Sequence, residues 1–487
     1  MTTMKFIYST LITIAIIIIM SSCTDDFQNI NTNPNAPIEV ETEFLLRQVI
    51  YDYGEQMSYE GFVAGNLLGQ YFTAVDFNLF DRHSLSEPQF GGNPWPIIYT
   101  NLRDNELILQ ASLDNPIDAI YEGPARILKA YMTAALTDIF GDVPYAEALQ
   151  GKDGNVTPVY DLQEDIYLGD QGIIDNLDKA IIALESYSGT QTLRGDVLYD
   201  GNLDNWIKFA KSLKLKYLMR IKDVANVTFE LFDLISEGGF ISDNSENATF
   251  SFTDGPPNNF RLATARVGDF NLYVMSETME EILVEYNDPR IETFFRPTGA
   301  DDSVYNGLLN GPNASETSVS IADYSLSGTV FREQTSLLQA NFMTAWETEY
   351  LIAEAAAVGA FFGNATTYYN RATELAFEFW NTEMPQDYLT SGPAAFVLSG
   401  PEADPLKQII TQKWISNIIN GYEGWIEYRR TGFPEFKTVA ASLNNNLIPV
   451  RMPYPTDEEA LNGDNFSEAA QATDGNSINA KVWWDID

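Results

Sequence analysis

Cys23 is the only cysteine of the 487-residue chain, and its surroundings give it a chemistry. It follows the apolar N-terminus MTTMKFIYSTLITIAIIIIM and two small residues, Ser21 and Ser22. One early charge, Lys5, an apolar run from Leu11 to Met20 and small residues at the cut site make residues 1–22 a lipoprotein signal peptide. Such a signal is cleaved before Cys23, whose thiol and new amino group are acylated, so that lipid holds the mature chain to a membrane. The apolar run is too short, and too abruptly followed by polar residues, for a membrane-spanning helix. With no second cysteine there is neither a disulfide nor a thiolate metal site to expect.

His83 is likewise the only histidine, which leaves Ser-His-Asp, Cys-His and His-ligated metal chemistry a single imidazole. It lies in a loop beside Asp81 and Arg82, with a ligand contact or a surface role open to it and no catalytic partner in view. There is no GxGxxG, P-loop or GxSxG motif. Asp200-Gly201-Asn202-Leu203-Asp204 begins like a calcium loop, but Asn205 follows instead of glycine, and Lys211 stands where a bidentate glutamate would fall. That segment reads as the start of a helix. No metal, cofactor or catalytic residue is expected; glycoside hydrolysis by paired carboxylates is the rival chemistry, since 69 acids are available. Against 28 bases those acids give a formal charge of −41. Such a field repels phosphate backbones and anionic head groups, so nucleic acid is excluded as a partner and membrane contact is expected through the lipid anchor only.

Helices must position whatever site there is. Residues 23–40, polar and rich in Asn and Pro, read as a lipidated flexible tether, and 41–487 as one domain with a real core, the chain being 45% hydrophobic. Asp25 and Asp26 are either a solvated linker or an acidic signal for export to the outer face of an outer membrane. From Ala125 to Phe140, apolar residues occupy two faces (Ile127, Ala130, Ala134; Leu128, Tyr131, Ala135, Ile139), which predicts a helix packed on both sides and stopped by Gly141 and Pro144. Asp204 is placed to cap a helix whose stripe is Trp206, Phe209, Leu213, Tyr217 and Ile221. Its other side, Lys208, Lys211, Lys214, Lys216 and Lys222, reads as a solvated face balancing acidic neighbours. Between Trp346 and Trp380, broken by Gly359 and Gly363, the residues Ala353, Ala356, Ala365, Tyr369 and Ala372 fall at the offsets of a tetratricopeptide repeat. Residues 65–100 and 240–335 are loop-like, and long loops are usually functional surfaces. Adjacent Trp483 and Trp484 predict a docked C-terminal tail.

Several stretches together resemble one family, the SusD/RagB outer-membrane nutrient-binding lipoproteins. They are ARILKAYMTAALTDIFGDVPYAEAL (125–149), NLDNWIKFAKSLKLKYLMRI (202–221), YNDPRIETFFRP (286–297), the paired helices at 346–380, WIEYRRTGFP (425–434) and IPVRMPYPTDEEALN (448–462). With the lipobox, in which Met20 replaces the more usual leucine, they run the length of the chain in the expected order. The resemblance implies a mostly α scaffold of tetratricopeptide-like helix pairs with minor β and a loop-rich ligand-binding face. It implies a binding protein and not an enzyme, lipid-anchored on the outer membrane and facing the cell exterior. Such a protein captures an oligosaccharide, or in some branches a peptide, for a SusC-like TonB-dependent transporter.

Sugar capture needs aromatic faces for C–H surfaces, with amides, carboxylates or arginine to read hydroxyls. In the family these come from the loops ahead of the helix containing Tyr99 and Asn101, and from the middle loops. Here those loops offer Phe77, Phe80, Arg82, Phe90 and Trp95, then Asn259, Phe260, Arg261 and Tyr324. Trp95, close to a helix start, suits core as well as platform. Trp425, Glu427, Tyr428, Arg429 and Arg430 could grip a carboxylate, but as a family-wide signature they are expected to be structural, as are Asp288-Pro289-Arg290 and Phe140-Gly141-Asp142.

Overall fold

The 3.6-residue periodicities become helices at the expected places. The computed structural model describes residues 40–86, 90–266, 268–313, 319–401 and 403–486. The signal, Cys23, Asp25, Asp26 and all of the tether except Val40 lie outside them. Helix Glu122–Phe140 is buried on nearly every side and ends at Gly141, whose φ of 82° a side chain would resist. Helices Pro94–Asp114 and Ile173–Ser186 pack on it, Thr42–Glu60 packs on the first of these, and Leu203–Ile221 on the second. This succession of neighbouring helices is the scaffold. Among the described residues the strands form two antiparallel pairs, Phe72–Ala74 with Tyr273–Met275 and Ala248–Ser251 with Gln339–Met343.

The tetratricopeptide-like pair is Ala345–Ala357 with Ala365–Phe379, started by the side chains of Thr344 and Asn364. Ala353 and Ala372 are fully buried, so the helices approach closely. Tyr369 fills the space beside them, stacks 4.7 Å from Phe396 and donates its hydroxyl to the Ala394 carbonyl. The tail is docked as expected: Trp484 is buried, with its indole N–H donated to Asp138 at 2.8 Å.

Two local expectations are corrected. Asn202, not Asp204, caps helix 203–221, its Oδ1 accepting from the N–H groups of Asp204 and Asn205; the true cap lies two residues earlier because Leu203 already begins the helix. The lysine side of that helix does balance acids, but Lys211, Lys214 and Lys216 are buried rather than solvated. Other helices cover that side as well. Each lysine therefore reaches an acid, Lys214 meeting Asp178 and Glu230 at 2.6 Å, and Lys216 meeting Glu347 at 3.0 Å and Glu423 at 3.1 Å.

Lys216 belongs to a network of buried charge. Arg220 bridges Asp138, Glu423 and Glu427, Arg430 clasps Glu354 and Glu427, and Lys413 lies 3.3 Å from Glu427. Arg429 sits between Trp425 and Trp484, 4.1 and 4.6 Å from their rings, and donates to the Val450 carbonyl. The Trp425–Arg430 signature is thus structural. So is Asp288-Pro289-Arg290, whose ion pair at 2.6 Å is fully buried.

Candidate ligand-binding surface

Large exposed aromatics in a folded chain need a reason, and two of the sequence candidates stay exposed side by side: Phe77 at 58% and Phe90 at 49%. Their ring centroids are 6.2 Å apart. Phe270 continues the row 5.6 Å from Phe90, and Tyr59 stands 6.1 Å beyond Phe270. Arg261 closes it, its guanidinium 4.9 Å from the Tyr59 ring and forked onto Glu55 at 2.6 and 2.7 Å. The result is a ridge of four rings ending in a polar fork. Successive rings are steeply inclined, at 77°, 64° and 87°, so the ridge turns along its length and offers both faces and edges.

Each segment is fixed from below. The Phe77 loop hangs on the buried Asp81, whose carboxylate accepts from the Thr73 hydroxyl, the Ala74 and Gly311 amides and the Asn310 side chain. Burial pushes this carboxyl up, and those four donors oppose the rise. Asn78 adds bonds to the carbonyls of Ala74 and Pro312. The Phe90 loop is seated by Glu60, buried at the end of helix 42–60, which accepts from the Gly92 amide and the Tyr422 hydroxyl, both at 2.8 Å. Gly92 has φ +87°, and a Cβ there would lie 2.5 Å from Phe80. Just past Glu60 the helix widens into a π-helical turn, Gly61–Gly65. Its Phe62 is buried against Phe270 at 5.9 Å and gives that ring its footing.

Phe77 and Phe270 both hold positive φ, +50° and +62°, at about 1–2 kcal/mol each for a bulky residue. The surrounding contacts over-determine these conformations. Arg332 secures the Phe270 turn by donating to the carbonyls of Ala265 at 3.2 Å and Asp269 at 2.6 Å. Arg332→Ala should therefore speed amide exchange at Asp269 and Asn271 roughly tenfold, while Arg332→Lys, with a single point of donation, restores part of the protection. Unchanged exchange in the alanine variant would show that the turn holds itself.

The other sequence candidates go elsewhere. Phe80 and Phe260 are buried, Phe260 packing on Phe62 and Phe252, so neither offers a face to a ligand. Trp95 belongs to a core cluster with Tyr99, Phe140 and Tyr454. Asn259 is buried and bonds to the Phe260 carbonyl. Arg82 is half-buried, donating to the Ala441 carbonyl, and half-buried Tyr324 has no ring contact with the ridge among the described residues. His83 is buried beside the Leu447 carbonyl, and burial lowers its pKa to about 4, leaving a neutral structural imidazole. The sequence reading missed Glu55, Tyr59 and Phe270. Phe270 carried a signal, an aromatic in a Gly-Asp-Phe-Asn turn, whereas Tyr59 and Glu55 sit on a helix and look like ordinary helix residues.

A family model for SusD-like proteins, described as starch-binding and associating with the outer membrane, matches residues 34–455. No curated protein sequence matches the chain. Solved structures of the same fold include two SusD homologues from Bacteroides fragilis. One is 25% identical, with TM-score 0.77 over 92% of this chain and 99% of that one. The other is 20% identical, with TM-score 0.78 over 91% and 100%. A chitin-binding SusD homologue from Flavobacterium johnsoniae is 22% identical, with TM-score 0.75 over 91% and 98%.

Proposed function

The chain belongs to the SusD-like family of outer-membrane-associated binding proteins, and from that premise we propose that it is a cell-surface lipoprotein, acylated at Cys23, which captures an oligosaccharide on the ridge from Phe77 to Arg261 and passes it to a SusC-like TonB-dependent transporter. The row of four rings, with Phe77 and Phe90 exposed and Phe77 and Phe270 at strained backbone positions, carries this reading. Aromatic faces shed water against the C–H surfaces of sugar rings, and the Arg261–Glu55 fork has donors and acceptors for hydroxyls at one end. Because Arg261 is already paired with Glu55, a neutral ligand disturbs the site least. Capture of this kind needs no bond making or breaking.

Calorimetry on residues 24–487 against α- and β-glucan oligomers, N-acetylglucosamine oligomers and a peptide set tests the proposal. Micromolar binding of one glycan class without turnover is expected. Binding of peptides alone would move the protein to the peptide-capturing branch, product release would make it a hydrolase, and silence from every class would remove the capture role. Surface display is checked separately, by loss of the protein when protease is added to intact cells.

A further inference from the structure

A cleft of about 300 Å³ lies between helices 94–114 and 122–140, bounded by the 144–153 turn. Lys129, Glu106, Gln110, Tyr99 and Tyr145 are among its lining residues. Lys129 Nζ and Glu106 Oε2 meet across the cleft at 3.0 Å, and the ammonium lies 5.8 Å from the centre of the Tyr145 ring. Gln110 reaches the other Glu106 oxygen at 3.4 Å.

We infer that this cleft is a second binding site, for a single neutral polyhydroxylated ring of pyranose size. An ammonium has three donors and a carboxylate about four acceptor positions, so the Lys129–Glu106 pair keeps unused donors beside unused acceptors. Neighbouring sugar hydroxyls donate and accept at once. Such a ring takes a bond from Lys129 and gives one to Glu106, with its C–H face toward Tyr145. The ion pair neutralises itself, so a charged ligand would have to break it. The volume lies at the small end of ligand sites and suits one ring rather than a chain.

The inference stands apart from the ridge, and its test removes the ridge. Saturation-transfer NMR on mature protein carrying Phe77→Ala and Phe90→Ala would compare glucose, N-acetylglucosamine, glucuronate and glucosamine. Millimolar binding of the neutral sugars is expected, weakened about tenfold or more by Lys129→Met. Glu106→Gln keeps the side-chain shape and removes half of the acceptor positions, so it should leave the fold intact and still weaken binding; a merely structural ion pair would leave binding unchanged. No monosaccharide signal, equal signals from charged sugars, or full binding in both variants would overturn the site. The oligosaccharide panel is decided independently.

Discussion

Replacing Phe90 with alanine should weaken oligosaccharide binding about 30-fold, the largest loss expected from any single change on the ridge. Truncating a central aromatic anchor costs about 2 kcal/mol of binding free energy, which is that factor. Phe90 stands between Phe77 and Phe270, 6.2 and 5.6 Å from their centroids, so its loss removes one stacking face and the lateral support of two others. Phe77→Ala takes an end ring with one neighbour, and about five- to tenfold is expected. Because the Phe90 ring is half exposed, its removal should change stability by less than about 1 kcal/mol. Calorimetric titration with the unfolding temperature as control separates the effects. An unchanged Kd for Phe90→Ala would dissociate the ridge from capture.

Phe77→Gly offers a second check, since it removes the same ring and also relieves a φ of +50°. It should bind as poorly as the alanine variant yet be more stable than that variant by about 1 kcal/mol. Phe80→Ala, three residues along, should behave in the opposite way. Its ring is buried against Gly92, so about 3 kcal/mol of stability is lost, and binding suffers only as the loop shifts.

That contrast marks the limit of what the residues reveal before folding. Phe77 and Phe80 share a loop and a residue type, and nothing local separates an exposed ring from a buried one. Asp81 decides it, by reaching Asn310 and Gly311 from far along the chain. Phe77, Phe90 and Arg261 were legible as candidates because aromatic and guanidinium groups in polar loops have few ways to satisfy themselves. Tyr59 and Glu55 were not, because their place on the ridge depends on how Arg261 and Phe270 lie against helix 42–60. The scaffold was easier to read. Helices 122–140 and 345–379 announce themselves by apolar spacing, alanine placement and glycine breaks, all local properties. Where one helix acquires neighbours on every side the same reasoning failed. The lysines of helix 203–221 alternate with its apolar stripe as a solvated face would, and their burial follows only from the helices packed over them.

The buried charges near those lysines carry the largest expected effect on stability. Glu427→Gln keeps the side-chain shape and removes one negative charge from among Arg430 at 2.8 Å and Lys413 and Arg220 at 3.3 Å, at a site buried from bulk solvent. Breaking a buried ion cluster in this way costs about 3–5 kcal/mol at neutral pH. In a domain of this size that lowers the melting temperature by on the order of 4 °C. Burial alone would push the Glu427 carboxyl up; Arg430, Lys413 and Arg220 outweigh it and hold the group well below the usual carboxylate range. A depressed folded-state pKa gives stability that is complete above the unfolded value, about 4.3, and is lost as pH falls from there through the folded value. The stability gap between wild type and variant should therefore stay constant from pH 8 to about 5.5 and narrow below about 4.3. Asp81 and Glu60 act in the opposite direction, since burial raises both carboxyls and acid then favours the folded state. They are present in both proteins and cancel in the difference, so urea unfolding of the pair across that range isolates Glu427. A gap that is small at pH 7, or that widens in acid, would show that the cluster is not held together by this charge.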